Sequence, residues 1–238
     1  MSLLLPQLPD SVTNIILTKV RVMRLVTEHG SVDNAIIRAN NVFDVEKLLL
    51  AGADVTAYNN SAIIHASTNG HLEVVRKFLL VGADYKAQDN TAIAMAAQMG
   101  HVDVVNLLIS AGADPRAHYD FPIRLASING HVAVVERLLL ENANADLALW
   151  AASEYGRLVV VEMLIVAGCN PGAHDNAAIR AASRNGSCAI VDRLLQHPLA
   201  DPGVLSGDAL LAAFQRGNPL VVERLRKFFH VMMPPQVN

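Results

Sequence analysis

Apolar positions along the chain fall into two helical registers that recur together. Ile63, Ile93, Ile123, Leu149, Ile179 and Leu210 each stand three residues before Ala66, Ala96, Ala126, Ala152, Ala182 or Ala213. That spacing places both columns on one helical face. Four residues after each alanine comes a glycine, at Gly70, Gly100, Gly130, Gly156, Gly186 and Gly217, with separations of 30, 30, 26, 30 and 31 residues. Beyond each glycine lies an apolar pair, Val74-Val75, Val104-Val105, Val134-Val135, Val160-Val161, Ile190-Val191 or Val221-Val222, which opens a second amphipathic helix. Self-similarity at this period predicts helix pairs stacked into a solenoid.

The boundaries carry turn chemistry. Ser61, Thr91 and Asp208 read as N-caps, so first helices are expected to begin near Ala62, Ala92, Pro122, Ala148, Ala178 and Ala209. Asn69-Gly70, Asn129-Gly130 and Asn185-Gly186 supply a left-handed reversal, so the second helix runs back antiparallel. It ends at Gly52, Gly82, Gly112 or Gly168, with Asn142 in that role where glycine is absent, and a short extended finger leads onward. Helices this short are unstable alone in water, where about 12 to 15 residues are needed. Contacts between units must hold them, and the alanine column permits close approach of neighbouring first helices. The Val-Val and Leu-Leu columns are core.

Asn69-Gly70-His71-Leu72-Glu73-Val74-Val75 followed by Gly82-Ala83-Asp84 resembles the ankyrin repeat, and Gly100-His101-Val102-Asp103-Val104-Val105 with Gly112-Ala113-Asp114 is a second copy. Gly130-His131 with Val134-Val135 is a third. Ser61-Ala62-Ile63-Ile64 and Thr91-Ala92-Ile93-Ala94 replace the family's usual Thr-Pro-Leu-His, and the period is shortened. Both departures, with the Asp-Asn-x-Ala-Ile motif at Asp89 to Ile93 and Asp175 to Ile179, resemble a short-finger subtype of giant viruses of amoebae and some fungi. The resemblance implies an all-α, curved solenoid of antiparallel helix pairs. Its expected divisions are N-terminal capping helices over 1–32, repeats over 33–207, and a C-terminal capping repeat with a tail over 208–238. The cap divides into one helix over Leu8-Pro9-Asp10-Ser11-Val12 through Ile15-Ile16-Leu17 and another from about Lys19 to His29. Arg224, Arg226 and Lys227 are expected to make the far end polar. A competing reading of the N-terminus is Leu8-Pro9 with Ile16-Leu17, similar to the opening of an F-box, which would make the chain a substrate receptor of a ubiquitin ligase.

Composition changes the picture little. Hydrophobic residues make up 52% of the 238 and charged residues 17%, which excludes a disordered chain. A net charge of -3 without a run of either sign argues against nucleic-acid binding. Glu73, Asp103, Glu136, Glu162 and Asp192 interrupt the most apolar stretches, so no membrane span is expected. Leu3-Leu4-Leu5 is stopped by Pro6, unlike a secretory signal. A cytoplasmic location follows, that of the host if the viral resemblance holds. Cys169 and Cys188 cannot form a disulfide framework.

Candidate chemistry is sparse. His71, His101 and His131 repeat at one place in successive units, a helix spacing apart, about 8 to 10 Å. Zinc needs its ligands about 2.0 to 2.1 Å from one ion, so they read as structural. Asp54, Asp84 and Asp114 suit turns that bond their own backbone. Phosphate loops, metalloprotease helices and nucleophile turns are missing from the sequence, and neither catalysis nor a cofactor is expected. There remains a non-catalytic module that binds another protein through the concave face of first helices and fingers. Positions free of the repeated core columns nominate Tyr58, His65, Met95, His118, Tyr119, Phe121, Arg124, Leu125, Ile128, Trp150, Glu154, Tyr155, Arg180 and Arg184. Aromatic residues and Arg are frequent interface anchors; the alternative reading of Trp150 and Phe121 is that they fill gaps between units. Where the period contracts to 26 residues the finger should leave a notch beside Trp150 and Tyr155, either the centre of the binding surface or tolerated loop variation.

Overall fold

The computed structural model describes residues 10–198 and 202–232, and among them all regular structure is helical. One N-terminal helix, α1 (Asp10–His29), precedes seven pairs. They are α2 (Val32–Ile37) with α3 (Val42–Leu50), α4 (Ala57–Thr68) with α5 (Leu72–Leu80), α6 (Ala87–Met99) with α7 (Val102–Ala111), and α8 (Ala117–Asn129) with α9 (Val132–Leu139). The series continues through α10 (Ala145–Glu154) with α11 (Leu158–Val166), α12 (Ala173–Asn185) with α13 (Cys188–Leu195), and α14 (Pro202–Gln215) with α15 (Pro219–Met232). First helices pack against first helices and second against second, two layers of an all-α repeat solenoid.

The core follows the repeat columns. Ile63, Ile93, Ile123 and Ile179 are buried, as are the alanines from Ala66 to Ala213, with the Val-Val pairs closing the space between layers. A bare Cβ lets adjacent first helices touch, and the stack supplies the burial that each short helix lacks on its own.

α1 is one continuous helix where two were expected. No glycine or proline interrupts Asp10 to His29, so nothing breaks it. Val22 and Leu25 pack on the core, and Arg21 forms an ion pair with Asp44 of α3, its Nη2 donating to Oδ2 at 2.9 Å. That hydrogen bond, opposed by burial, holds the Asp44 carboxyl below its usual range. Leu8-Pro9, half of the F-box resemblance, lie outside the described residues.

The fingers are not extended. Tyr58-Asn59-Asn60, Gln88-Asp89-Asn90, His118-Tyr119-Asp120 and His174-Asp175-Asn176 each run through three left-handed residues, with φ between 51 and 62°. Such backbone costs roughly 1–2 kcal/mol per residue for an L-amino acid, least for Asn and Asp. The third residue returns something: Asn60 Oδ1 accepts from the Asp84 amide at 2.8 Å, Asn90 Oδ1 from Asp114 at 3.0 Å, and Asp120 Oδ1 from Asn144 at 3.1 Å. These side chains are buried and tie each turn to the following unit. The turn aspartates in turn accept from their own backbone two residues on, as Asp84 does from Lys86 at 2.9 Å. Right-handed helix resumes at Ser61, Thr91, Phe121 and Ala177. Ser61 is no N-cap; its hydroxyl donates to the Tyr58 carbonyl at 2.6 Å, because the left-handed turn already leads into the helix. α14 starts well before Ala209, so Asp208 and the expected boundary at 208 lie inside a helix.

His101 and His131 are structural for a specific reason. Each ring lies over the turn glycine of the preceding unit, and Nε2 donates to a carbonyl there, His101 to Thr68 at 3.1 Å and His131 to Gln98 at 2.9 Å. A Cβ on Gly100 would come within 2.6 Å of the His131 ring.

The C-terminal end is both polar and apolar. Arg224, Arg226 and Lys227 are exposed, and Arg224 pairs with Asp192 of α13. Phe214, 72% exposed, borders an apolar groove of 1090 Å³ with Leu210, Val222 and Phe229, while Arg226 and Lys227 sit at its edge.

Candidate partner-binding face

The left-handed turns of α4, α6 and α8 form a row beside their first helices. Adjacent left-handed turns are linked along it, Gln88 Nε2 donating to the Asn59 carbonyl at 2.9 Å and His118 Nδ1 lying 3.0 Å from Asp89 Oδ2. The left-handed geometry lifts side chains outward: Tyr58 is 60% and Tyr119 85% exposed. Behind them Met95, Phe121, Leu125, Ile128 and Trp150 are half-buried and do not join the core.

The densest cluster lies between α6 and α8. His118 meets Phe121 edge-on at 5.7 Å and Tyr119 at 6.3 Å, and the Arg124 guanidinium stands 5.9 Å from the Phe121 ring centre. A cavity of 150 Å³ opens beside them, floored by Ala94, Met95, Phe121 and Pro122 and rimmed by Asp89 and His118. Sequence reasoning passed over Ala94 and Pro122 because it read Pro122 as the start of a helix and Ala94 as part of a replaced repeat motif, and no periodic signal marks a gap between units.

The remaining candidates disperse. Glu154 and Arg184 pair with each other at 3.2 Å across adjacent units. Arg180 donates to the carbonyls of His174 and Asp175 in its own turn. His65, half-buried on α4, has its imidazole pushed below the usual range by burial first and then by Arg38 and His71. Trp150 and Tyr155 do not flank one notch: Tyr155 is the C-cap of α10, and five residues of helix rotate it about 140° from Trp150.

Chemistry beyond binding finds little to build on. Among the described residues no group of three or more His, Cys, Asp or Glu is placed to hold a metal. Cys169 is buried, and burial, reinforced by Asp146, pushes its thiol up to about 12, the opposite of an activated nucleophile. Among the described residues no helix is long and apolar enough to cross a membrane.

A family model described as ankyrin repeats (3 copies) matches residues 34–119, from α2 through the left-handed turn of α8. The chain carries ankyrin repeats. Beyond residue 119 the same columns and stacking continue the ankyrin array to α15. Among solved structures, the crystal structure of the human ASB11 ankyrin repeat domain is similar, with a TM-score of 0.67 and 22% sequence identity over 81% of this chain and 96% of that one. At that identity the likeness speaks for the fold. No curated protein matches the sequence. Ankyrin repeats are generally protein-interaction modules, with binding carried by the extended surface of the array.

Proposed function

We propose that this ankyrin array is a non-catalytic module that binds another protein on its first-helix and finger face, centred on the α6–α8 cluster. The observation that carries the reading is the set of half-buried apolar residues Met95, Phe121, Leu125 and Ile128, held outside the core beside a cavity and the projecting Tyr119. Concave, partly apolar sites with an aromatic anchor are where binding energy concentrates. A cytoplasmic setting belongs to the proposal, supported by the two unpaired cysteines.

A partner captured from lysate and identified by mass spectrometry, then titrated against variants, tests this. Phe121→Ala and Tyr119→Ala should each weaken binding by more than about 1 kcal/mol with folding intact. Val159→Ala, on the exposed second-helix side, should not. Equal, negligible losses at all three positions would remove the face from consideration.

A second reading is the ligase receptor, with α1 as the recruiting element. Ile16, Leu17, Val20 and Met23 leave an exposed apolar stripe on that helix, a surface that an adaptor protein would cover. Association with ligase components that is lost on deleting residues 1–30, while partner binding survives, would support it.

A further inference from the structure

Arg124 and Arg180 occupy the same register, six residues before the turn glycine of their units, yet their surroundings differ. Arg180 is engaged at home, bonded to two carbonyls of its own left-handed turn and 4.0 Å from Asp208 Oδ2. Arg124 is not. Its Nε is buried without a hydrogen-bond partner, and no described carboxylate pairs with it. Its guanidinium stands 5.9 Å from the centre of the Phe121 ring. The flanking units place Ala94 and Trp150 in that register, so no acidic side chain arrives from either side. Carboxylates of the same stretch are already committed: Asp89 to His118, Asp120 to Arg116 at 3.5 Å and to the Asn144 amide, Glu154 to Arg184.

A guanidinium carries five donors and no acceptor, and leaving a desolvated donor without a partner is costly. Arg124 as a whole is only half-buried, and the ligand that matches the remaining donors of its guanidinium is planar, anionic and able to accept two parallel hydrogen bonds, which is a carboxylate. We propose that Arg124 is the specificity residue of the array and reads an Asp or Glu on the partner, next to an apolar residue that enters the 150 Å³ cavity. Cavity and guanidinium both border the Phe121 ring. The two partner residues therefore stand two apart on an extended segment, or three to four apart on a helix. Charge complementarity sets the sign: an acidic, apolar-anchored segment fits, and a basic one is rejected. This rests on the binding face proposed above.

The test uses the full chain and a displayed library of random 12-residue peptides. Selected peptides should share one acidic position at the stated distance from an apolar one, and Phe121→Ala should abolish their binding. Replacing that acid by its amide, or making Arg124→Gln, should each weaken binding by about tenfold or more. The two changes together should cost no more than either alone, since they remove the same contact. Arg124→Glu should be rescued by Lys at the acidic position. Val159→Ala, on the second-helix side, should leave peptide affinity unchanged. Peptides that need Phe121 but share no acidic position, or additive losses in the double change, overturn the role of Arg124 and leave the face standing. Failure to select any peptide sensitive to Phe121→Ala overturns both.

Discussion

The pairs α8–α9 and α10–α11 perform the same job in the stack with different backbones. In the first, residues 118–120 make a left-handed turn whose last member, Asp120, bonds the Asn144 amide at 3.1 Å. In the second that turn is missing, and Asn144 instead caps α10 directly, accepting from the amides of Asp146 and Leu147. Even so, Asp146 in the first turn of α10 accepts from the Asn170 amide at 3.2 Å. The link between units survives the loss of the finger. What the array conserves from one unit to the next is an acceptor at the right place, and the route of the chain to it is free to vary. The finger, where present, is then available for display, and α8 carries the exposed aromatic residues while α10 does not.

The two units also differ in what covers the glycine of the unit before, and this gives the largest expected effect. Gly100→Ala forces a Cβ to within 2.6 Å of the rigid His131 ring as well as straining a left-handed residue, and should cost about 3 kcal/mol. Gly130→Ala meets only the flexible Arg157 side chain at 3.3 Å and should cost about 1 kcal/mol. Urea midpoints would check the pair, and equal values would break the contrast. Next come Ala126→Leu and Ala152→Leu, both at fully buried inter-unit contacts. Each should lose about 2 kcal/mol by overpacking, equally, because the α6–α8 and α8–α10 seams are alike at this column.

Smaller effects probe the acceptor itself. Asp120→Ala should lose about 2 kcal/mol, combining left-handed strain with an unpaired amide. Asp146→Ala, in ordinary helix, should lose about 1 kcal/mol. Asp120→Asn, the residue found at positions 60, 90 and 176, should change stability by less than about 0.5 kcal/mol. The smallest concerns the register of Leu125 in α8 and Ala151 in α10, which α4 fills with His65. Its folded value lies below the ordinary one through burial, so the protein prefers it neutral. Its contribution is complete above the unfolded His value, about 6.5, and declines as pH falls through the folded value. The stability difference between pH 7.5 and 5 should narrow in His65→Leu, and an unchanged difference would show that His65 does not couple to folding.

Much of this was legible in the residues. The Ile, Ala and Val-Val columns placed the core, and the turn glycines, all with positive φ, placed the reversals, because periodicity and backbone permissiveness are local properties written residue by residue. Tyr119, Phe121, Arg124 and Leu125 stood out as positions the repeat does not use. The same reasoning mistook Ser61 for a cap, divided α1, made the fingers extended and joined Trp150 to Tyr155.

Those errors share a cause. Local pattern determined which segments are helices, which faces are apolar and how the chain reverses. Only the folded array decided that three consecutive residues would go left-handed, since that backbone is unfavourable alone and is held by an acceptor bond to a unit 24 residues on. Only the array decided that Arg180 would be satisfied within its own turn while Arg124, its equal in sequence register, keeps a buried Nε without a hydrogen-bond partner. A hydrogen-bond partner is a matter of distance in space, and repeat spacing carries no record of which side chains are already taken.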